Sequence, residues 1–325
     1  MNNIVNLRLI SVALSIASFT VPCAYSQTAT KPDTSPHQVQ FVSVDKDITL
    51  EVLDWGGNGP PLIFLAGLGD TAHVFDTFAP KFTTNHHVYG ITRRGFGKSS
   101  APPSTEEDYA ADRLGDDVLA VIDVLKLDRP VLVGHSIAGE ELSSVGSRHP
   151  EKIAGLVYLD AGLAYAYYDP ARWEGGLIVD ANELRRKLDL LMLNQTMVGA
   201  VRDLAQGNLL SQFERDLQVM QKQFQGIPAT GSGMPVRPLS AAMQIEVAIS
   251  KGERKYTSLK CPMLSLIAWP SDAGPPLIAQ ASAFERIPSA HVVRLRNANH
   301  YIFRSNEADV EREMKTFMDA LKPPN

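Results

Sequence analysis

The segment Val131–Gly139, with the sequence VLVGHSIAG, constrains the fold of this chain more than any other. An apolar, β-branched run ends in Gly134, Ser136 follows two residues later, and small residues lead into a predicted helix. This pattern is typical of a nucleophile elbow, in which a serine lies on a sharp turn between a strand and a helix. Small flanking residues are needed because the two backbone segments nearly touch there. The usual pattern is G-x-S-x-G, and Ala138 stands in place of the last glycine.

Composition is that of an ordinary globular protein and argues against one class of partner. The 325 residues are 44% hydrophobic and 21% charged, and the net charge is −5 with no basic run. We therefore expect no nucleic-acid partner. The eight histidines show no metal-ligand spacing, so the sequence predicts no metal site.

The first 26 residues have the pattern of a secretory signal peptide. Arg8 supplies a positive charge, Leu9–Val21 is apolar, and Ala24–Ser26 has small residues where a signal peptidase cleaves, which predicts cleavage before Gln27. The apolar run is too short for a good membrane span, and an uncleaved anchor is the alternative. We expect an exported protein, periplasmic or secreted, with no stable membrane span after cleavage.

The rest of the chain divides into segments with different hydrophobic patterns. Residues 27–40 read as a flexible lead-in, whereas 41–163 and 256–325 alternate short apolar strands with helical stretches. Such alternation predicts a mostly parallel central sheet with helices on both faces. Residues 164–255 lack strand-like runs, which predicts a helical cap inserted between the two halves of the core. The strands are predicted at 41–44, 49–55, 62–65, 87–92, 131–133, 153–159, 263–267 and 291–295.

A serine nucleophile needs a histidine base and an acid that orients the histidine. These groups are expected after late strands, because ligands collect at the carboxyl edge of a parallel sheet. Asp272 and His300 each follow a late predicted strand, in the chain order serine, aspartate, histidine. Asp160 ends an earlier predicted strand and is the alternative acid. The sequence favours Asp272.

Two further motifs complete the set. Leu62–Asp70 (LIFLAGLGD) is similar to an oxyanion loop after a third strand, and Arg93–Ser100 (RRGFGKSS) resembles an R-G-x-G-x-S turn. With the elbow and with His300 in the Asn299–Tyr301 segment, they make the chain resemble the α/β-hydrolase superfamily. Within it, the likeness is to capped serine hydrolases of the esterase or proline-iminopeptidase-like branch. The resemblance spans nearly the whole chain beyond residue 26.

The resemblance implies the α/β-hydrolase fold and two-step acyl transfer. Ser136 would attack a carbonyl, His300 would take its proton, and Asp272 would orient the histidine. The backbone N–H groups of Leu68 and Ile137 would form the oxyanion hole. No cofactor and no metal are expected, and the expected partner is a small ester-like molecule.

The chain departs from the family pattern at two places. Ala66 stands where members usually carry a histidine, which leaves the backbone donors intact but removes a side chain that braces the loop. Trp269 takes the place of a frequent family glycine three residues before Asp272. Two acidic residues, Glu140 and Glu141, lie just past the elbow. If one carboxylate points into the helix–sheet boundary it needs a partner, for which Arg94 and Arg148 are the candidates; a solvated helix face is the alternative.

Aromatic residues suggest where the substrate binds. Tyr165, Tyr168 and Trp173 at the start of the predicted cap, together with Trp269, are candidates for an apolar substrate pocket. The alternative is that the cap residues form the cap's own core. An apolar pocket would favour small to medium esters or lactones.

The sequence therefore predicts a periplasmic or secreted serine hydrolase acting on carboxylic esters or lactones. An aminopeptidase or amidase, a C–C hydrolase and a cofactor-free haloperoxidase are alternatives on the same fold. The family's dehalogenases and epoxide hydrolases need an aspartate at the nucleophile position, against which Ser136 argues. A non-catalytic ligand-binding protein on a hydrolase scaffold is the alternative of another class.

Overall fold

The computed structural model describes residues 37–102, 107–162, 166–167, 256–271, 273 and 275–321. The predicted signal peptide, 1–26, lies outside the described residues, as does the predicted cap, 164–255, apart from Ala166 and Tyr167. Four predicted site residues also lie outside them: Tyr165, Tyr168, Trp173 and Asp272.

The described residues form eight strands and five α-helices. The strands are β1 Gln38–Asp45, β2 Ile48–Gly56, β3 Pro61–Leu65, β4 His87–Ile91, β5 Val131–His135, β6 Gly155–Leu159, β7 Met263–Trp269 and β8 Ala290–Arg296. The helices are α1 Ala111–Val124, α2 Gly139–Arg148, α3 Pro275–Glu285, α4 Ile302–Ser305 and α5 Glu307–Ala320. Short 3₁₀ helices lie at Ala72–Phe75, Ala79–Phe82, Ser136–Ala138 and Pro150–Lys152.

All eight strands belong to one sheet in the order β1-β2-β4-β3-β5-β6-β7-β8. The pairs β1–β2 and β2–β4 are antiparallel, and every other neighbouring pair is parallel. This arrangement confirms the predicted mostly parallel sheet. Strand β1 begins at Gln38, inside the 27–40 segment for which a flexible lead-in is predicted, so regular structure starts before residue 41.

Helices cover both faces of the sheet, as predicted. Successive residues of a strand point to opposite faces, so Leu132 of β5 belongs to one apolar cluster whereas Val131 and Val133 belong to the other. The first cluster includes apolar residues of α1, α2 and α3, and the second includes phenylalanines of the Ala72–Phe75 and Ala79–Phe82 segments and residues of α5. Burial on both faces explains why β3, β5 and β6 are almost continuously apolar. Among the helices described, none is long and apolar enough to cross a bilayer.

The parallel strands decide where chemistry can occur. Strands β3, β5, β6, β7 and β8 run in the same direction, so their carboxyl ends meet at one edge of the sheet. The residues that follow these ends include Gly67, Ser136, Asp160 and His300. This edge is where ligands bind in open α/β sheets.

Candidate active site

Ser136 lies on a strained turn directly after β5. Its φ is +54°, a value that non-glycine residues seldom adopt, and it is partly exposed between buried neighbours. A Cβ at Gly134 would lie 2.9 Å from Cδ1 of Leu142, and one at Gly139 would lie 2.0 Å from the carbonyl oxygen of Ala161. The two glycines are therefore required sterically. The segment has the strand–turn–helix geometry that its sequence predicts.

His300 and Asp160 form a hydrogen-bonded pair at the same edge of the sheet. Nδ1 of His300 donates to Oδ2 of Asp160 over 2.7 Å. The other carboxylate oxygen, Oδ1, accepts a hydrogen bond of 2.9 Å from the backbone N–H of Ala268. The His300 side chain is 50% exposed and that of Asp160 is 17% exposed. An imidazole held through Nδ1 keeps Nε2 available to accept a proton.

Asp160 is thus the carboxylate that the structure brings to His300. It follows β6 directly, has a φ of +47°, and donates its backbone N–H to the carbonyl of Leu266 over 2.8 Å. Contacts to β7 therefore fix both its backbone and one of its carboxylate oxygens. Asp272, the acid that the sequence favours, lies outside the described residues.

The loop after β3 runs against the elbow. The backbone N–H of Asp70 donates to the carbonyl of Gly67 over 3.3 Å, which closes a turn in which Gly69 has a φ of +81°. A Cβ at Gly67 would lie 3.3 Å from Cβ of Ser136. Leu68, predicted to supply an oxyanion donor, therefore directly follows a glycine at which any side chain would crowd Ser136.

Arg93 braces this loop, and sequence reasoning missed it. Its guanidinium is buried. Nη2 donates to the carbonyl of Ala66 over 2.8 Å, and Nη1 donates to the carbonyl of Gly67 over 3.4 Å. Its Nε donates to Glu141 of α2, which is also buried. The side chain that holds the loop thus comes from the carboxyl end of β4 and is tied to the helix that follows Ser136.

The partners expected for the acidic residues of α2 are therefore corrected. Arg94, one of the two arginines expected to face Glu140 or Glu141, makes hydrogen bonds of 2.6 and 2.5 Å to Asp117 of α1. Arg148, the other, contacts Asp112 and Asp116 of the same helix. Arg94 lies in the turn that the hydrogen bond from the Phe96 N–H to the Arg93 carbonyl closes, and the two arginines reach different helices.

Two contacts join the His300 loop to the rest of the site. Nε2 of His135 donates to the backbone carbonyl of His300 over 3.0 Å, and the two rings lie 4.6 Å apart. The hydroxyl of Tyr301 donates to Oδ2 of Asp70 over 3.0 Å. The His135 bond therefore ties the residue that carries the base to the end of β5, directly before Ser136.

His135 should make the protein lose stability in mild acid. Burial, followed by the nearby His300, lowers the pKa of His135 to about 4 from an ordinary 6.5. Between these values the unfolded chain binds a proton that the folded chain refuses, so stability falls as pH falls. From pH 7 to 4.5 the loss is about 2 kcal/mol.

The measurement is the free energy of unfolding by urea at both pH values, for the wild type and for His135→Gln. Glutamine cannot titrate but keeps an N–H donor. We expect the wild type to lose more stability than the variant on acidification. Equal losses would contradict this role of His135.

Of the predicted pocket residues, the structure describes Trp269. It is the last residue of β7, it is half-buried, and the guanidinium of Arg294 lies over its ring at 4.8 Å. Trp269 therefore lies at the carboxyl edge of the sheet, where a pocket residue is expected. Tyr167 packs its ring against Phe284 of α3 at 5.7 Å.

Comparisons with known proteins agree with the architecture. The family model of the alpha/beta hydrolase fold matches residues 60–187. The chain is similar to 2-(acetamidomethylene)succinate hydrolase of Mesorhizobium japonicum, 27% identical over 113 residues, covering 35% of this chain and 39% of that protein. It is also similar to 2-hydroxymuconate semialdehyde hydrolase of Pseudomonas sp. (strain CF600), 27% identical over 146 residues, covering 44% and 51%.

Each of these matches spans well under two thirds of the curated relative. A solved structure described as Est816, an N-acyl homoserine lactone degrading enzyme, superposes with a TM-score of 0.56 and 20% identity. The superposition covers 86% of this chain and 100% of the chain in that structure. A likeness at this identity is one of fold.

Proposed function

The chain belongs to the α/β-hydrolase superfamily, and on that premise we propose that it is an exported serine hydrolase of small carboxylic esters or lactones. The observation that carries the proposal is the 2.7 Å hydrogen bond from His300 to Asp160 at the edge where Ser136 stands on its strained turn. Export is supported by the signal-peptide pattern of residues 1–26.

In the proposed reaction, Oγ of Ser136 attacks the substrate carbonyl and Nε2 of His300 takes the serine proton. Asp160 accepts the Nδ1 hydrogen, which selects the tautomer of His300 and stabilises the imidazolium that forms. His300 then gives the proton to the leaving alcohol. In the second step, water attacks the acyl-enzyme with His300 again as the base, which restores Ser136.

The oxyanion of the tetrahedral intermediate is assigned to the backbone N–H groups of Leu68 and Ile137. The proximity of Gly67 to Ser136 supports this assignment, because Leu68 follows Gly67 on a turn that Arg93 holds. Each such donor is worth about 3 kcal/mol of the barrier.

The elbow residue argues against two of the chemistries named for relatives. Fluoroacetate dehalogenase of Burkholderia sp is 27% identical over 125 residues. A dehalogenase or an epoxide hydrolase would be expected to use a carboxylate nucleophile, whereas this chain has a hydroxyl at Ser136. Relatives named as hydrolases of small organic acids and aldehydes support a small-molecule substrate for this chain.

Labelling with a fluorophosphonate probe tests the proposal. The probe phosphonylates serines that an adjacent base activates. We expect one adduct per folded chain, located on Ser136 by peptide mass spectrometry, and hydrolysis of p-nitrophenyl acetate that the adduct abolishes. The Ser136→Ala variant should show neither, at an unchanged Tm.

Other outcomes would redirect the proposal. A folded protein that takes no label would support a non-catalytic binding protein on a hydrolase scaffold. A labelled protein that cleaves amides or C–C bonds but no ester or lactone would keep the serine mechanism and overturn the substrate class.

A further inference from the structure

Two histidines and an aspartate meet outside the candidate active site. Nδ1 of His37 lies 3.1 Å from Oδ1 of Asp76, and Nδ1 of His73 lies 3.1 Å from Oδ2 of the same carboxylate. Ligand atoms of the three residues all lie within 4.8 Å of one another. We propose that His37, His73 and Asp76 bind a divalent transition-metal ion, with Zn²⁺ the best match.

The donor set fits such an ion. Imidazole nitrogen and carboxylate oxygen are zinc ligands, and Zn–ligand distances near 2.1 Å place tetrahedral ligand atoms about 3.4 Å apart. Each histidine has an Asp76 oxygen close to this distance: Nδ1 of His37 lies 3.1 Å from Oδ1, and Nδ1 of His73 lies 3.1 Å from Oδ2.

A buried oxygen supports the assignment. Oδ1 of Asp76 receives no hydrogen bond from any residue that the structure describes, although Nδ1 of His37 lies only 3.1 Å away. Buried carboxylate oxygens are rarely left in this state, because an unpaired polar atom costs free energy. A cation bound at this cluster would pair the Asp76 oxygen.

A second carboxylate stands behind His73. Its other ring nitrogen, Nε2, lies 3.7 Å from Oε1 of Glu51, whose side chain is 1% exposed. Within the described part of the chain, this oxygen also accepts no hydrogen bond, while Oε2 accepts one of 2.9 Å from the hydroxyl of Thr92. Lys98 reaches the same Oε1 at 3.9 Å from an exposed position. A carboxylate behind a ligating histidine is the usual second layer of a metal site.

The position gives the ion a structural role. His37 precedes β1, whereas His73 and Asp76 belong to the Ala72–Phe75 segment and its end. An ion bound to all three would fasten the start of β1 to the segment that follows the Gly67–Asp70 turn. The inference is independent of the proposed hydrolase activity.

Calorimetric titration of the EDTA-treated, desalted protein with ZnCl₂ tests the site. We expect one ion per chain in the wild type. In His37→Gln and in Asp76→Asn, we expect the affinity for Zn²⁺ to fall by about tenfold or more. His149→Gln is the matched control, because His149 contacts Glu151 instead, and should bind as the wild type does. Saturating Zn²⁺ should raise the Tm of the wild type by several degrees.

Tryptophan fluorescence gives a second readout that locates the ion. The ring of His37 lies 6.0 Å from that of Trp55, so Cu²⁺ at the site should quench Trp55 and EDTA should reverse the effect. Trp55→Phe should lose the quenchable part of the signal, and Asp76→Asn should not be quenched.

Three results would overturn the proposal. They are no stoichiometric Zn²⁺ binding by the wild type, binding that the His37 and Asp76 variants leave unchanged, and Cu²⁺ quenching that survives Trp55→Phe. If both ligand variants fail to fold, Cu²⁺ quenching still tests the site. Reversible quenching that Trp55→Phe abolishes would support it, and no quenching of Trp55 would contradict it.

Discussion

Asparagine in place of Asp160 is expected to lower the kcat of ester hydrolysis about ten-thousand-fold. With its one oxygen on the N–H of Ala268, asparagine turns an NH2 donor toward Nδ1 of His300, which favours the wrong tautomer, and the neutral amide does not stabilise the imidazolium. Folding should be preserved, because asparagine tolerates the φ of +47° at this position and can still accept the hydrogen bond from Ala268. The measurement is the rate of p-nitrophenyl acetate hydrolysis, with Tm as the check on folding.

Asp272→Asn is the matched control for this prediction. It makes the same chemical change at the competing acid, and we expect its kcat to stay within a few fold of the wild type. A large loss in the Asp272 variant with a small loss in the Asp160 variant would transfer the acid's role to Asp272. Because both enzymes would keep Ser136 and His300, the comparison isolates the acid.

Methionine in place of Arg93 is expected to cost both stability and turnover. The change leaves the buried Glu141 without its arginine, and breaking a buried ion pair in this way costs about 3–5 kcal/mol. It also removes the donors to the carbonyls of Ala66 and Gly67. If the loop then shifts the N–H of Leu68, kcat should fall by about 10²–10³. Urea unfolding and hydrolysis kinetics measure the two effects.

A double variant separates the two roles. Arg93→Met with Glu141→Leu removes the unpaired charge, and apolar replacement of a whole buried pair is often neutral for stability. We therefore expect the double variant to recover most of its unfolding free energy while kcat stays low, because the loop still lacks its brace. Recovery of kcat together with stability would mean that Arg93 serves folding alone.

Much of the fold follows from local sequence. The apolar run predicted at 62–65 is β3 at Pro61–Leu65, and that predicted at 131–133 is β5 at Val131–His135. Both strands are buried on their two faces, so the signal is continuous apolarity rather than alternation. Ser136 is likewise identifiable because it directly follows the buried strand β5, and His300 because it lies in the short Asn299–Tyr301 motif after β8.

The acid is harder to predict for a geometric reason. Asp160 and Asp272 both follow parallel strands, so both are expected at the same edge of the sheet. Which of two such carboxylates reaches Nδ1 of His300 depends on backbone conformation, here the positive φ of Asp160 and its bonds to β7. The spacing of the residues along the sequence predicts none of these features.

Long-range pairing explains the other omissions. Arg93 and Arg94 are adjacent in sequence, and only the course of the chain beyond β4 decides which one turns toward Glu141. The cluster of His37 and His73 escapes any search for metal-ligand spacing, because the two histidines are far apart along the chain. Strand β1 and the segment after β3 bring them together.

The positive φ angles of Ser136 and Asp160, +54° and +47°, have a consequence for laboratory evolution. Backbone strain of this kind costs on the order of 1–3 kcal/mol per residue, and glycine would relieve it at either place. A library screened for heat tolerance alone would therefore be drawn toward glycine at the two residues on which turnover is proposed to depend. Each round of such a selection needs a turnover assay, because otherwise it will enrich heat-stable variants without activity.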